Sequence, residues 1–307
     1  QGDTLFGSFA WAFKDLFGEK RLIEWLSQHV VSPVLLFSSV FPAGHIPRPI
    51  ISLELPEPQN KEAYQKMKRF KKIQFVKIDE LERFFTDPLG LSVDTSVVEQ
   101  SIVHNTISRL TGKVLDGGLF VLESKKFSGG ITPAELWFFV RYEDTVFNDI
   151  ELQKVIDYMW QVGVGKRASS GYGQGKITKI DESDNFSTAT DGSYFINLSP
   201  WVPAKSDPVD GFYRIKVKMA AVGRDFSVSG FFIKRPFAYI CEGSVFRAKA
   251  KKPFFGRVLK NMSSDLENMK DVFRLPDFGI IQNTLAYPFY INLDLRIDKG
   301  GLSAQYE

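Results

Sequence analysis

Between residues 4 and 17, apolar side chains fall at Leu5, Phe6, Phe9, Ala10, Phe13, Leu16 and Phe17. Spacings of three and four put them on one stripe of a helix, and Asp3 or Thr4 is expected to cap its first turn. The same period runs on through RLIEWLSQHV at 21–30. The pattern then changes. VLLF at 34–37 predicts a strand, and Pro42, Pro47 and Pro49 predict an irregular loop after it. Residues 103–127 predict a β-hairpin whose turn lies in TGKVLDGG, with Asp116-Gly117 as the turning step. AELWFFVRY at 134–142 predicts one strand. Asn148 with Glu151 three positions on resembles a capping box. The helix it opens carries Leu152, Val155, Ile156 and Met159 and stops at Gly163. KITKI at 176–180 predicts a strand.

This order of helices and strands is α+β. With one more strand ahead of Gln1 it becomes βαββαβ, the ferredoxin-like arrangement, interrupted by an insertion at about 55–130. That domain is expected over 1–182. Residues 183–206, rich in Ser, Asp and Thr, read as a linker or loop opening a second, β-rich, degenerate ferredoxin-like domain over 183–307. In FYRIKVKM, Tyr213, Ile215, Val217 and Met219 alternate with Arg214, Lys216 and Lys218. A half-buried strand with a basic outer row is expected. FYINLDLRI repeats the pattern with Ile291, Leu293, Leu295 and Ile297 inward, and SSDLENMKDVF at 263–273 could form a short helix.

Composition narrows the function classes. At 307 residues, with 44% hydrophobic and 24% charged positions, the chain suits a soluble two-domain protein. The single cysteine, Cys241, excludes an internal disulfide framework, fits a cytoplasmic location and reads as a buried thiol. His29, His45 and His104 are far apart and show no ligand spacing, so no metal is expected. No apolar run is long enough to span a membrane. The net charge of +3 permits a local basic surface. Residues 61–77 hold Lys61, Lys66, Lys68, Arg69, Lys71, Lys72 and Lys77 among aromatic and apolar positions, which fits a solvated face or a nucleic-acid contact.

The densest signal is GVGKRASSGYGQGK at 163–176. It is not a Walker loop, because Gly175-Lys176 is followed by Ile177 and Ser170 stands where the first glycine should be. It is not a dinucleotide fingerprint either, since it runs from helix to strand. No nucleotide cofactor is therefore expected. Its chemistry still suits an extended anion. Gly163, Gly165, Gly171 and Gly173 can turn backbone N–H groups toward phosphate oxygens. Lys166 and Arg167 add charge, Ser169 and Ser170 add hydroxyls, and Tyr172 offers a stacking face. That combination fits the backbone of single-stranded RNA.

The same stretch resembles the glycine-rich loop of the RAMP superfamily of CRISPR-associated proteins. GDTLFGSFAWAF, SSVFPAGHIPRP and HNTISRLTGKVLDGGLF are similar to the first helix, a proline-rich stretch and an inserted thumb hairpin of that superfamily. The closest group is the guide-RNA-capping subunits of type III-A (Csm) effectors, in the fifth Cas RAMP group. The resemblance covers most of 2–180 and is weak beyond, at EGSVF and YPFYINL. It implies two ferredoxin-like domains and no catalysis. It also implies a grip on the repeat-derived 5′ handle of the crRNA, and contacts to a large palm-domain subunit and a backbone RAMP subunit. Residues 163–173 would hold handle phosphates. The thumb would contribute His104, Asn105 and Arg109, with Lys125 and Lys126 near its base. Phe41, Pro42, His45, Pro47 and Arg48 would form a wall beside the handle, although His45 stands where an aromatic residue is expected.

Three other readings compete. A metal-independent RAMP endoribonuclease would need a general base, with His45 ahead of His29 and His104. A target-cleaving backbone subunit would need an aspartate such as Asp79 or Asp87. A pure protein-interaction module would bind no RNA.

Overall fold

The computed structural model of the chain describes residues 1–53, 55, 57–91, 96–129, 132–133, 135–165, 167–181, 194–224, 226, 233–263 and 275–292. In chain order the elements are α1 (Gly2–Phe17), α2 (Glu19–Val31), β1 (Leu35–Phe37), β2 (Phe41–Pro42), β3 (His45–Pro47), α3 (Lys61–Lys71), β4 (Phe75–Lys77) and α4 (Leu81–Thr86). Then follow β5 (Ser96–Ile107), β6 (Val114–Gly129), β7 (Thr132–Pro133), β8 (Leu136–Trp137), β9 (Val140–Tyr142) and α5 (Asp149–Val162). The rest is strand: β10 (Tyr194–Asn197), β11 (Gly211–Phe212), β12 (Ile215–Lys218), β13 (Phe237–Ile240), β14 (Val245–Arg247), β15 (Phe255–Gly256), β16 (Leu285–Ala286) and β17 (Pro288–Ile291). Two compact units result: residues 1–40, 49–53 and 138–307, and residues 41–48 and 54–137.

In the first unit, the predicted stripe of α1 is buried at Leu5, Phe6, Phe9 and Phe13, against Trp25, Phe37, Phe147 and Met159. Phe9 and Phe13 each meet Trp25 and Phe147 edge-on. Each such ring contributes about 1.5–3 kcal/mol through burial, and the edge-on geometry adds to that. Gly2 is required for close approach, because a Cβ there would lie 2.4 Å from the Phe37 carbonyl oxygen. Gln1 occupies the N-cap and no side chain caps α1, contrary to expectation. Asp3, itself buried, is drawn into an ion pair with the partly buried Lys218 instead. The α5 start is as predicted: the Asn148 side chain accepts the Glu151 N–H at 2.8 Å.

β1 pairs antiparallel with β9. A second sheet has the order β11-β14-β10-β17, around a core of Phe195, Trp201, Phe246, Phe255 and Tyr290. The linker predicted over 183–206 is therefore corrected in its described part, since Tyr194–Asn197 is a central strand and Trp201 is fully buried. KITKI forms no strand; its residues join no sheet among the described residues and are mostly exposed. Leu293, Leu295, Ile297 and most of the helix expected at 263–273 lie outside the described residues.

β12 is turned inside out relative to its pattern. Ile215, Val217 and Met219 face solvent, while the Lys218 ammonium reaches Asp3 at 2.6 Å. In register, Lys216 and Lys218 stand opposite Tyr239 and Phe237 of β13. The two lysines thus share a face with these aromatic residues, and Lys216 stays exposed.

His29 is fully buried between Phe6 and Trp25. Its Nδ1 accepts the Val34 N–H at 3.2 Å, and its Nε2 therefore carries the proton, 3.3 Å from Asn283 Oδ1. Burial lowers its pKa to about 4, despite the hydrogen bond to Asn283. The unfolded chain binds a proton near pH 6.5 and the folded chain does not. The stability this neutral histidine supports is full above about pH 6.5 and is lost as pH falls toward 4. Urea unfolding at pH 7 and pH 4 should show about 3 kcal/mol of loss from this residue. His29→Gln should lack that share, and an unchanged pH slope in the variant would refute the assignment.

In the second unit, β2 pairs with β8 and β3 with β4. The prolines do not abolish regular structure as predicted. Pro42 and Pro47 are the last residues of short strands, where a missing N–H is tolerated. The strand predicted at 134–142 is two: β8 belongs to this unit and β9 to the other. Phe41, Ile46, Phe70, Val76, Leu81 and Phe84 are buried. The basic face of α3 is exposed apart from Phe70 and the partly covered Ala63 and Met67.

Candidate nucleic-acid interface

The glycine loop leaves α5 at Gly163 with φ of 101°. It closes on itself where the Val164 N–H meets the Gly173 carbonyl at 2.9 Å. Between them Ala168–Ser170 forms one 3-10 turn, and the Arg167 carbonyl accepts from Ser170 and Tyr172. Of the five glycines, three serve the loop itself and are not cleared for a ligand. A Cβ on Gly163 would lie 2.8 Å from the Tyr172 carbonyl oxygen, one on Gly173 2.0 Å from that of Val164, and one on Gly175 3.2 Å from the Trp160 ring. Gly165 and Gly171 differ. Both have positive φ, 102° and 81°, and nothing lies within 4 Å of where a Cβ would be. They free the backbone outward. The N–H groups of Gly165 and Gly173 have no hydrogen-bond partner among the described residues. Arg167 is half-buried, and Ser170 and Tyr172 are exposed. Lys166 and the Ser169 side chain lie outside the described residues.

The remaining predicted residues belong to the second unit. Phe41 and Pro42 are buried, so neither offers a face to a ligand. Arg48 lies over the Phe70 ring at 4.4 Å and donates to the Phe70 and Lys71 carbonyls. It caps the C-terminus of α3, where a cation also opposes the helix dipole. Its guanidinium is thus engaged within the fold, at the end of α3. His45 directs Nδ1 to the Ala43 carbonyl at 2.8 Å, and its own carbonyl accepts from Trp137 Nε1. Asp87 pairs with Arg83, and Asp79 is exposed in a turn. The three histidines do not converge: His29 lies in the core of one unit, and His45 and His104 belong to the other.

The hairpin β5–β6 forms, with its turn at 108–113 rather than at Asp116-Gly117. Asp116 and Gly117 lie within β6, where four residues bulge opposite Thr106 and Gly117 takes φ of 72°. The dipeptide's left-handed preference thus makes a bulge. His104 stacks on Phe120 across the strands at 5.4 Å. Asn105 and Arg109 are exposed, and Lys125 pairs in register with Glu99, its side chain outside the described residues. Much of the hairpin surface is apolar, which the polar signature had obscured. Val103 and Leu119 are 63% and 68% exposed, and Leu110 at the turn 98%. The signal was there in VLDGGLFVL, which has no polar partner for each apolar position.

Among the described residues no cluster of His, Cys, Asp and Glu could hold a metal, and no helix is long and apolar enough to cross a membrane.

No protein-family model and no curated protein sequence matches the chain. Solved structures do. One is a chain of the "Csm1-Csm4 cassette in complex with pppApA", with a TM-score of 0.53 at 16% identity over 95% of this chain and 92% of that one. Another comes from the "Csm3-Csm4 subcomplex in the type III-A CRISPR-Cas interference complex", with a TM-score of 0.51 at 16% identity over 95% and 93%. Csm4 is the subunit common to both. The chain has the Csm4 fold. The cassette bound to cA4 gives the same likeness, with a TM-score of 0.52 at 18% identity over 95% and 91%. At 95% of this chain the likeness extends past residue 180, where the sequence resemblance to RAMP proteins had been weak.

Proposed function

We propose that this chain is a non-catalytic RNA-binding subunit of a type III-A CRISPR–Cas (Csm) interference complex. In this reading it acts in the cytoplasm, holds the 5′ repeat-derived handle of the crRNA, and bridges the large palm-domain subunit to the backbone RAMP subunit. Its described strands and helices are then a ferredoxin-like RAMP domain with a thumb, followed by a second, degenerate one. The observation that carries the proposal is the Csm4 fold over 95% of the chain, seen beside Csm1 and beside Csm3. Two features of the chain support it. The loop 163–173 leaves open space beside Gly165 and Gly171 and the Gly165 and Gly173 N–H groups without a partner among the described residues. The hairpin exposes apolar side chains that a two-stranded ribbon cannot bury alone, as expected of a protein that works in an assembly.

The test is an incubation of the protein with end-labelled repeat RNA in EDTA, read on native and denaturing gels. A shifted band with intact RNA is expected. Affinity should fall with salt at a log–log slope of about −2 to −3, for roughly three to four phosphates at about 0.7 each. A discrete cut within the repeat would instead support the metal-independent nuclease, with His45→Ala as the next variant. A flat salt response would remove RNA from the reading.

A further inference from the structure

From Gly243 to Ser264 the chain carries six cations, Arg247, Lys249, Lys251, Lys252, Arg257 and Lys260, and no carboxylate. That excess is twice the net charge of +3 of the whole chain. All six are exposed. Strand pairing shows where the densest part runs. Arg247 ends β14 opposite Tyr194, the first residue of β10, and Tyr194 in turn pairs with Ile291 of β17. Residues 248–253 leave β14 there and reach Tyr290 on β17, arching over the start of β10.

The arch is held rigidly. The Tyr290 hydroxyl accepts the Lys252 N–H at 2.6 Å and donates to the Lys252 carbonyl at 2.9 Å. Arg141 lies over the Tyr287 ring at 5.2 Å and donates to the Pro253 carbonyl. The Lys251 and Lys252 ammonium groups stand over the rings of Tyr290 and Phe255, each at 5.7 Å. A pinned backbone lets these cations bind with little loss of chain entropy.

We propose that this arch is a second RNA-binding surface, which takes the phosphates of single-stranded RNA independently of the glycine loop. Cations in one run with no carboxylate between them reinforce each other's field. Four of the six are lysines, which protein–protein interfaces disfavour at their cores and phosphate contacts use freely. Tyr290 and Phe255 are buried, so the surface reads charge and not bases.

The experiment measures binding of about 30 nucleotides of single-stranded RNA, long enough to span two sites, by anisotropy over a salt series. The proteins are the wild type, K249E/K251E/K252E, its glutamine counterpart, Gly173→Val as the glycine-loop variant and a control, K20E/K154E/K205E, with equal charge change at scattered exposed sites. Thermal melts confirm folding. The arch variant should bind at least tenfold more weakly, with a salt slope shallower by about 2. The glutamine variant should fall between, and the control should lose less than threefold. Wild-type affinity and slope in the arch variant would overturn the proposal, as would an equal loss in the control. Unchanged RNA affinity with lost co-purification of effector subunits would make the arch a protein interface and overturn it too. A loss in the arch variant with none in a glycine-loop variant would uphold the arch and refute the handle grip at 163–173. If the wild type binds no RNA, both fall.

Discussion

Asp3→Ala is expected to lower the free energy of unfolding by about 3–5 kcal/mol, the range for leaving a buried charge without its partner. The Asp3 carboxylate is buried at the start of α1. Its Oδ2 accepts from Lys218 Nζ and Gln282 Nε2, both at 2.6 Å. Gln282 also receives Lys234 Nζ at 2.9 Å, and the Ile281 carbonyl does the same. Two ammonium groups thus depend on one carboxylate. Burial lowers the Lys234 pKa to about 8, Asp3 raises it, and Lys218 lowers it again. Removing Asp3 leaves the buried Lys234 and the partly buried Lys218 without this carboxylate. The cost of charging Lys234 is full below pH 8 and is relieved as pH rises from about 8 to 10.5, because the folded chain then releases its proton first. The variant should therefore recover part of its loss at pH 9. A loss under about 1 kcal/mol at pH 7, by chemical denaturation, would show that the network contributes little.

That network also explains what the sequence could and could not reveal. The α1 stripe and the Asn148 cap were legible because both depend on residues within one or two turns. The inversion of β12 was not. Alternation tells that two faces differ, but which face turns inward was decided by Asp3, more than 200 residues away, together with the aromatic side chains of β13. Asp116-Gly117 reads as the turning step, but the positive φ of Gly117 serves a bulge as readily as a turn, and the pairing of Ile107 with Val114 selects the bulge. Arg48 shows the limit for sites. A basic residue beside prolines looks available for RNA, and only the fold brings the end of α3 to it. The glycine loop was legible as a unit, yet the division of labour among its glycines required coordinates. The arch at 247–253 was visible as a run without carboxylates, and was hidden by the near balance of charge in the chain as a whole.

Gly173→Val should abolish RNA binding by the loop, with an affinity loss of at least about a hundredfold if two charge-assisted hydrogen bonds are lost. A side chain at 173 would need a φ near 71° and a Cβ 2.0 Å from the Val164 carbonyl oxygen. Neither can be met, so the Val164–Gly173 hydrogen bond that closes the loop must break. The Gly165 and Gly173 N–H groups would then lose their fixed positions. Gly171→Ala separates this from ligand approach. It adds strain of about 1–2 kcal/mol from left-handed backbone but meets no protein atom. If RNA passes close to the loop backbone, Gly171→Ala weakens binding by more than it weakens folding, and Gly171→Asn, which tolerates that φ, weakens it as well. A folded Gly173→Val protein with wild-type RNA affinity would show that the loop is a structural closure and that the handle is held elsewhere.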